Sequence, residues 1–354
     1  MLQSDKEAVS KETQPNSLTN RQNIDSLDML KFVLSLMVIA IHADLFNGIL
    51  NPWLKTAVPL FFIISSYFFF KKVNSAHGTK NQNSVFKKFI IRNLQLYAFW
   101  FVLLSPVTFT VRNYGRDGFW MGVFYFFRGL LCSSTFYASW FITALVIATA
   151  IIYPLRKINV NILLSIALVI SLAVSMFSTY KPITTQIDAF KEFDKYYTFI
   201  FTEPNNSFPV AIFWVVLGKK FADSNKNYNI DFKLIIALVI SAVLLLFEFR
   251  FFVDKFGGNN ECPFALIPFC TLFFIFCKEL NVQITCSKLL RKLSTVIYAS
   301  HFSILILIRG VLRAIDFNYS SILYALTLAI CLGLAFLIFF LEKKKGFSWL
   351  KYSH

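Results

Sequence analysis

Few side chains in this sequence can carry chemistry inside an apolar environment, and the densest set lies in one stretch, with Asp28, Lys31, Ser35 and His42 set among Leu, Val, Ile and Phe. Ionisable groups so placed are expensive, and they usually face a polar interior. At 100° per residue the step from Lys31 to His42 returns to nearly the same helix face; Ser35 shares that face and Asp28 lies about 40° away. The axial rise between Lys31 and His42 is about 16 Å, comparable to an extended pantetheine arm. An ammonium at one end of such a stripe can hold an anionic carrier, and an imidazole at depth can take a proton from a hydroxyl nucleophile. Acyl transfer from a coenzyme A thioester would use both. The alternative is that Lys31 only snorkels to the interface and His42 only hydrogen-bonds another helix.

Other candidates are more scattered. His301 lies in an apolar run with Tyr298 three positions earlier on the same helical face, which fits a structural hydrogen bond or a substrate contact. Arg92, just after Lys87-Lys88-Phe89-Ile90-Ile91, suits either the phosphates of a carrier or an interfacial anchor. Glu248, Arg250, Arg128, Arg309 and Arg313 are explained by a buried ion pair or a lipid headgroup, and His77 and His354 are expected to be solvated.

These residues must be positioned by membrane helices. The 354 residues are 56% hydrophobic and 18% aromatic, with only 15% charged, and the mean hydropathy is +0.60; soluble domains rarely look like this. A hydrocarbon core of roughly 30 Å takes about 20 apolar residues per helix. Apolar runs at 28–48, 53–70, 89–110, 136–155, 160–178, 207–221, 232–253, 262–277, 294–313 and 321–341 predict an all-α integral membrane bundle of about ten transmembrane helices. The run at 119–131 is short, carries Arg128 and follows a turn-like Tyr114-Gly115-Arg116-Asp117-Gly118, which predicts an interfacial or re-entrant helix.

The formal charge of +16 is carried by short Lys and Arg clusters at the ends of apolar runs, where topology rather than nucleic acid accounts for them. With the N-terminus inside, one set of loops holds Lys71, Lys72, Lys80, Lys87, Lys88, Arg156, Lys157, Lys219, Lys220, Lys226, Lys233, Lys278, Lys288, Arg291, Lys292, Lys343, Lys344, Lys345 and Lys351. The other set holds chiefly Lys55, Arg112, Arg116, Lys181, Lys191, Lys195 and Lys255, diluted by acidic residues. Both termini are therefore expected in the cytosol. Residues 1–25 are polar, without a signal-peptide pattern, and predict a disordered cytosolic tail. Residues 26–342 form the transmembrane domain and 343–354 a basic cytosolic tail. The longest outer loop, 179–206, ends in Glu203-Pro204-Asn205-Asn206 and is polar enough to meet a substrate outside the membrane. The six cysteines lack metal-ligand spacing and read as small buried hydrophobes; no disulfide and no metal are predicted.

From about Ile24 to Leu341 the chain resembles the membrane acyltransferase family 3, whose members O-acetylate bacterial surface polysaccharides, lipopolysaccharide and peptidoglycan. The resemblance rests on Lys31 with ten residues before His42, on Val58-Pro59-Leu60-Phe61-Phe62-Ile63-Ile64-Ser65 through Tyr67, on Trp140-Phe141-Ile142 with Leu145, and on Ile297-Tyr298 with His301. It implies His42 as the catalytic histidine, Lys31 as its basic companion, and an acyl-donor site for acetyl-CoA that includes Arg92 and, beside it, Lys88. It also implies a surface glycan or lipid-linked saccharide as acceptor and a bacterial inner membrane location; Trp140, Glu203, Asn206 and His301 are our own candidates for substrate contacts. The chain departs from the family where Ser65-Ser66 stands in place of Ser-Gly, where only Lys88 and Arg92 remain of a denser Arg motif, and where Glu203-Pro204-Asn205-Asn206-Ser207 replaces an Arg-Asn pair. Two other readings are compatible with the residues: a transporter or exporter whose polar stripe lines a proton or solute path, and a non-catalytic membrane partner of a glycan-assembly complex.

Overall fold

The computed structural model describes residues 16–46, 50–111, 114, 116–136, 139–224, 226, 228–256, 259, 261–280, 282–316 and 319–354. Among the described residues every regular element is helical. The principal helices are α1 (Asn16–Ala43), α2 (Ala57–Asn74), α3 (Thr79–Val111), α4 (Phe119–Cys132), α5 (Trp140–Ile152), α6 (Val160–Met176), α7 (Asp188–Phe201), α8 (Phe208–Asp223), α9 (Phe232–Glu248), α10 (Leu266–Glu279), α11 (Ser287–Ala314) and α12 (Ser320–Glu342).

Each predicted apolar run falls on one of these helices, but they are not of equal length. Among the described residues six are long and apolar enough to cross a membrane: α1, α2 with the short turn before it, α3, α9 with the π-helical turn after it, α11 and α12. The others among the expected ten, α5, α6, α8 and α10, have 13, 17, 16 and 14 residues. For α5, α8 and α10 the reason lies in the flanking sequence. Pro154 closes α5, Pro204 and Pro209 bracket the start of α8, and Pro263 precedes α10. Proline lacks an amide hydrogen and cannot extend a helix backwards without losing a bond. Irregular backbone is tolerated at membrane depth only where it is buried in protein or lines a polar cavity, and the segments at 133–134, 205–206 and 261–263 all border one cavity.

The helix α8 is the centre of the bundle. Its run Ala211–Lys219 is buried throughout, and it packs on α2, α5 and α6. In lipid there is little hydrophobic drive between helices, so close approach of small residues matters most. Gly218 supplies it: a Cβ built there would stand 2.0 Å from Ser66 Oγ and 2.7 Å from the Ile63 carbonyl oxygen. Ser66 itself donates to the carbonyl of Phe62 at 2.7 Å. The small residue expected on α2 is thus replaced by Ser66, and the space comes from the facing helix. A second group joins α1 to α2, α11 and α12, which brings the two intramembrane histidines together.

Several expectations are corrected here. Helix α1 begins at Asn16, so it reaches into the stretch assigned to a disordered tail; residues 1–15, like Arg112, lie outside the described residues. The basic C-terminal segment folds back as a turn over Ser348–Ser353, and the fully buried Trp100 of α3 donates from Nε1 to the Ser353 carbonyl at 3.0 Å. His354 is not solvated: its side chain is 6% exposed, lies 3.5 Å from Glu342 and meets the Phe339 ring edge-on. Two lysines counted toward topology are buried and paired, Lys219 with Asp223 and Lys278 with Glu279 at 2.6 Å. Glu248 accepts hydrogen bonds from the amides of Phe264 and Ala265, each at 2.6 Å, and from the Tyr180 hydroxyl, with no ion pair to it among the described residues. A carboxylate there satisfies amides that the start of α10 would otherwise leave open.

Candidate functional site

Near the C-terminal end of α1 the bundle encloses a cavity of about 350 Å³. His42 lines it, on the last turn of α1, and His301 lines it from α11. The two rings stack with centroids 5.4 Å apart and planes 26° from parallel, and Phe302 meets His42 edge-on at 4.6 Å. Stacked rings do not hydrogen-bond each other, so the ring edges remain available to a third group.

The orientation of His301 is fixed. Its Nδ1 lies 2.7 Å from the Tyr298 carbonyl oxygen; a carbonyl only accepts, so Nδ1 carries the hydrogen and donates. The partner foreseen from the three-residue spacing is thus the main chain of Tyr298. Its phenol ring packs edge-on against Phe61 and Phe141 at 5.4 and 5.2 Å. His301 Nε2 is fully buried and has no hydrogen-bond partner among the described residues. His42 is held from the main chain: Arg309 Nη2 donates to its carbonyl at 2.6 Å.

The rest of the wall is aromatic on one side and rich in hydroxyls and amides on the other. Trp140 lies 6.2 Å from Phe62, and both border the space with Trp214. Ser133, Ser134, Ser171, Ser175, Asn205 and Asn206 form the polar side. An ion pair, Lys55 with Glu261 at 2.5 Å, closes one edge, and Lys55 acts electrostatically on His42.

Of the residues singled out from the sequence, His42, Trp140, Asn206 and His301 therefore meet at one cavity. Glu203 does not line it; its carboxylate faces Lys181 at 3.3 Å, in a cluster where Lys181 also binds Asp194 at 2.9 Å. Lys31 and Arg92 are brought together elsewhere. Lys31 lies 5.2 Å from the Phe68 ring and within electrostatic reach of Asp28, Arg291 and Arg92. Arg291 sits 3.4 Å from the buried Asp28. Lys88 is exposed on α3, one helical turn before Arg92. The folded-back His354 feels the charge of Arg92, and burial lowers its pKa from the ordinary value. The basic group and the cavity are joined by α1, an unbroken helix that separates Lys31 from His42 by about 16 Å.

Sequence reasoning missed Lys55, Asn205, Glu261 and the role of Arg309. Lys55 and Glu261 are 206 residues apart, and no local pattern joins them. Asn205 stood beside a residue that was chosen; it is the more buried of the pair, with Oδ1 unpartnered among the described residues.

An all-helical chain with several candidate spans and a paired-histidine cavity defines a class of multi-pass membrane protein with a buried polar site. The family model described as an acyltransferase domain matches residues 24–341, and the chain belongs to this membrane acyltransferase family 3. An amino-acid racemase of Enterococcus faecalis is 24% identical over 329 residues, which cover 88% of this chain and 45% of that protein. The chain thus spans under half of that relative's length. No solved structure matches it.

Proposed function

We propose that the protein is an O-acyltransferase of the bacterial inner membrane that moves an acetyl or similar short acyl group from acetyl-CoA to a hydroxyl of a cell-surface glycan or lipid-linked saccharide. In this reading the chain crosses the bilayer about ten times, the short helices α5, α6, α8 and α10 included, with both termini in the cytosol. The observation that carries the reading is the pairing of His42 with a hydroxyl- and amide-lined cavity at one end of α1 and a cationic group at the other.

Lys31 and Arg92, with Lys88 at the rim, hold the phosphates of the donor. Arg92 gives a planar fork suited to phosphate oxygens, and the pantetheine arm runs along α1 to present its thioester near His42. The acceptor enters from the opposite side, against Trp140, Asn206 and the serines, with Glu203 near the entrance. His42 takes the hydroxyl proton as the oxygen attacks the thioester carbonyl. The C–S bond breaks, the thiolate leaves, and the proton passes from the imidazole to the sulfur. Proximity supplies much of the rate, since both reactants are held in one small space.

The test uses purified protein in vesicles. Acetyl-CoA binding should weaken about tenfold or more in Arg92→Ala with His42→Ala unaffected, and transfer should vanish in His42→Ala. Solute flux through the vesicles without acyl-CoA, abolished by the same substitutions, would move the reading to a transporter.

A further inference from the structure

We propose that His301 is a second residue of this site that touches the acceptor: its Nε2 accepts a hydrogen bond from a hydroxyl neighbouring the one that reacts, and so turns the reacting O–H toward His42. The inference rests on the acyltransferase reading above and adds to it the group that seats the nucleophile.

Three observations point the same way. His301 is 0% exposed and lines the cavity, yet Nε2 has no partner among the described residues. Leaving such an atom unpaired is costly, so a buried imidazole there points to a ligand that bonds it. Its other nitrogen is committed as a donor to Tyr298, so Nε2 holds a lone pair and can only accept. The facing ring of His42 stacks on His301 rather than hydrogen-bonding it, so His42 does not satisfy Nε2. Two imidazolium rings this close would repel, so one ring takes the proton and the other stays neutral; the ring fixed as an acceptor is His301. Asn205 Oδ1 is a second buried acceptor in the same wall without a partner among the described residues. Two unpaired acceptors on residues lining one cavity favour a ligand with more than one O–H donor, which is the chemistry of a polyol or sugar.

The experiment compares cells lacking the protein and complemented with wild type, His301→Phe, His301→Gln or His42→Ala, reading O-acetyl esters on surface glycans by mass spectrometry. Acetyl-CoA affinity and thermal stability are measured on the same purified full-length variants. The expected result is at least a tenfold loss of ester in His301→Phe, with acetyl-CoA affinity within about twofold of wild type and melting unchanged, and partial recovery in His301→Gln, whose amide oxygen can accept. Wild-type ester levels in His301→Phe beside none in His42→Ala overturn this inference alone. Parallel loss of ester, acetyl-CoA binding and melting temperature in both His301 variants makes the residue structural and also overturns it. No change of any ester on deletion overturns the acyltransferase reading and this inference together.

Discussion

Arg309 donates from Nη2 to the main-chain carbonyl of His42 at 2.6 Å, across the contact between α11 and α1. Helix α1 ends one residue later at Ala43, so that carbonyl is one of those a helix end leaves without an internal partner. A cation at this end also opposes the helix dipole. The backbone beneath the His42 imidazole is thereby tied to the helix that carries His301.

Arg309→Ala should therefore slow transfer without touching either substrate. A hydrogen bond from a charged group is worth about 1.5–3 kcal/mol, and a loosened His42 should lower kcat about tenfold with the KM for acetyl-CoA nearly unchanged. Arg309→Lys should recover part of the loss. Steady-state kinetics in vesicles decide it: a KM effect with kcat intact would place Arg309 in binding instead.

The contact of Gly218 with Ser66 gives a packing prediction. Gly218→Ala forces a methyl group onto Ser66 Oγ and the Ile63 carbonyl, and overpacking of this kind costs about 1–3 kcal/mol. Melting in detergent should fall. Adding Ser66→Gly should restore only part of it, because the Ile63 carbonyl remains in place. Full restoration would show that the serine alone sets the spacing of α2 and α8.

Glu248 accepts three hydrogen bonds at the entry to α10. Glu248→Ala leaves the Tyr180 hydroxyl and two amides without their acceptor, each at a cost of about 1–3 kcal/mol when buried. It should destabilise more than Glu248→Gln, which keeps one acceptor oxygen. Since Cys262 and Pro263 adjoin these amides and line the cavity, transfer should fall with stability in the same order. A stable Glu248→Ala protein would mean that water replaces the carboxylate.

The basic group should show its charge in salt dependence. Arg92→Ala is expected to raise the KM for acetyl-CoA about tenfold or more and to flatten its dependence on ionic strength, whereas the exposed Lys88→Ala should act weakly, because solvent and salt screen it. Equal effects at the two positions would spread the donor site along α3.

How much of this was legible beforehand follows from distance along the chain. The stripe Lys31 to His42 could be read because both residues lie on one helix, and helical periodicity is a local rule. The apolar runs likewise located the helices. What hydropathy alone did not show was the shortening of α5, α8 and α10, because it registers apolar residues and not where prolines end a helix inside the bundle. Lys55 with Glu261, and Arg309 with His42, depend on contacts between distant segments, for which no single-sequence signal exists. His301 was visible as an intramembrane histidine, but its stacking on His42 was not. The C-terminal segment looked like a solvated basic tail since its lysines dominate its composition, while the turn that docks it depends on Trp100, far away on α3.

The most direct test of the account is the O-acetyl content of surface glycans, by mass spectrometry, in cells lacking the protein and complemented with wild type or with a well-expressed His42→Ala variant. The account predicts that acetyl esters disappear without the protein, return with wild type and stay absent with His42→Ala. Full acetylation with His42→Ala would contradict the assignment of His42 as the catalytic base.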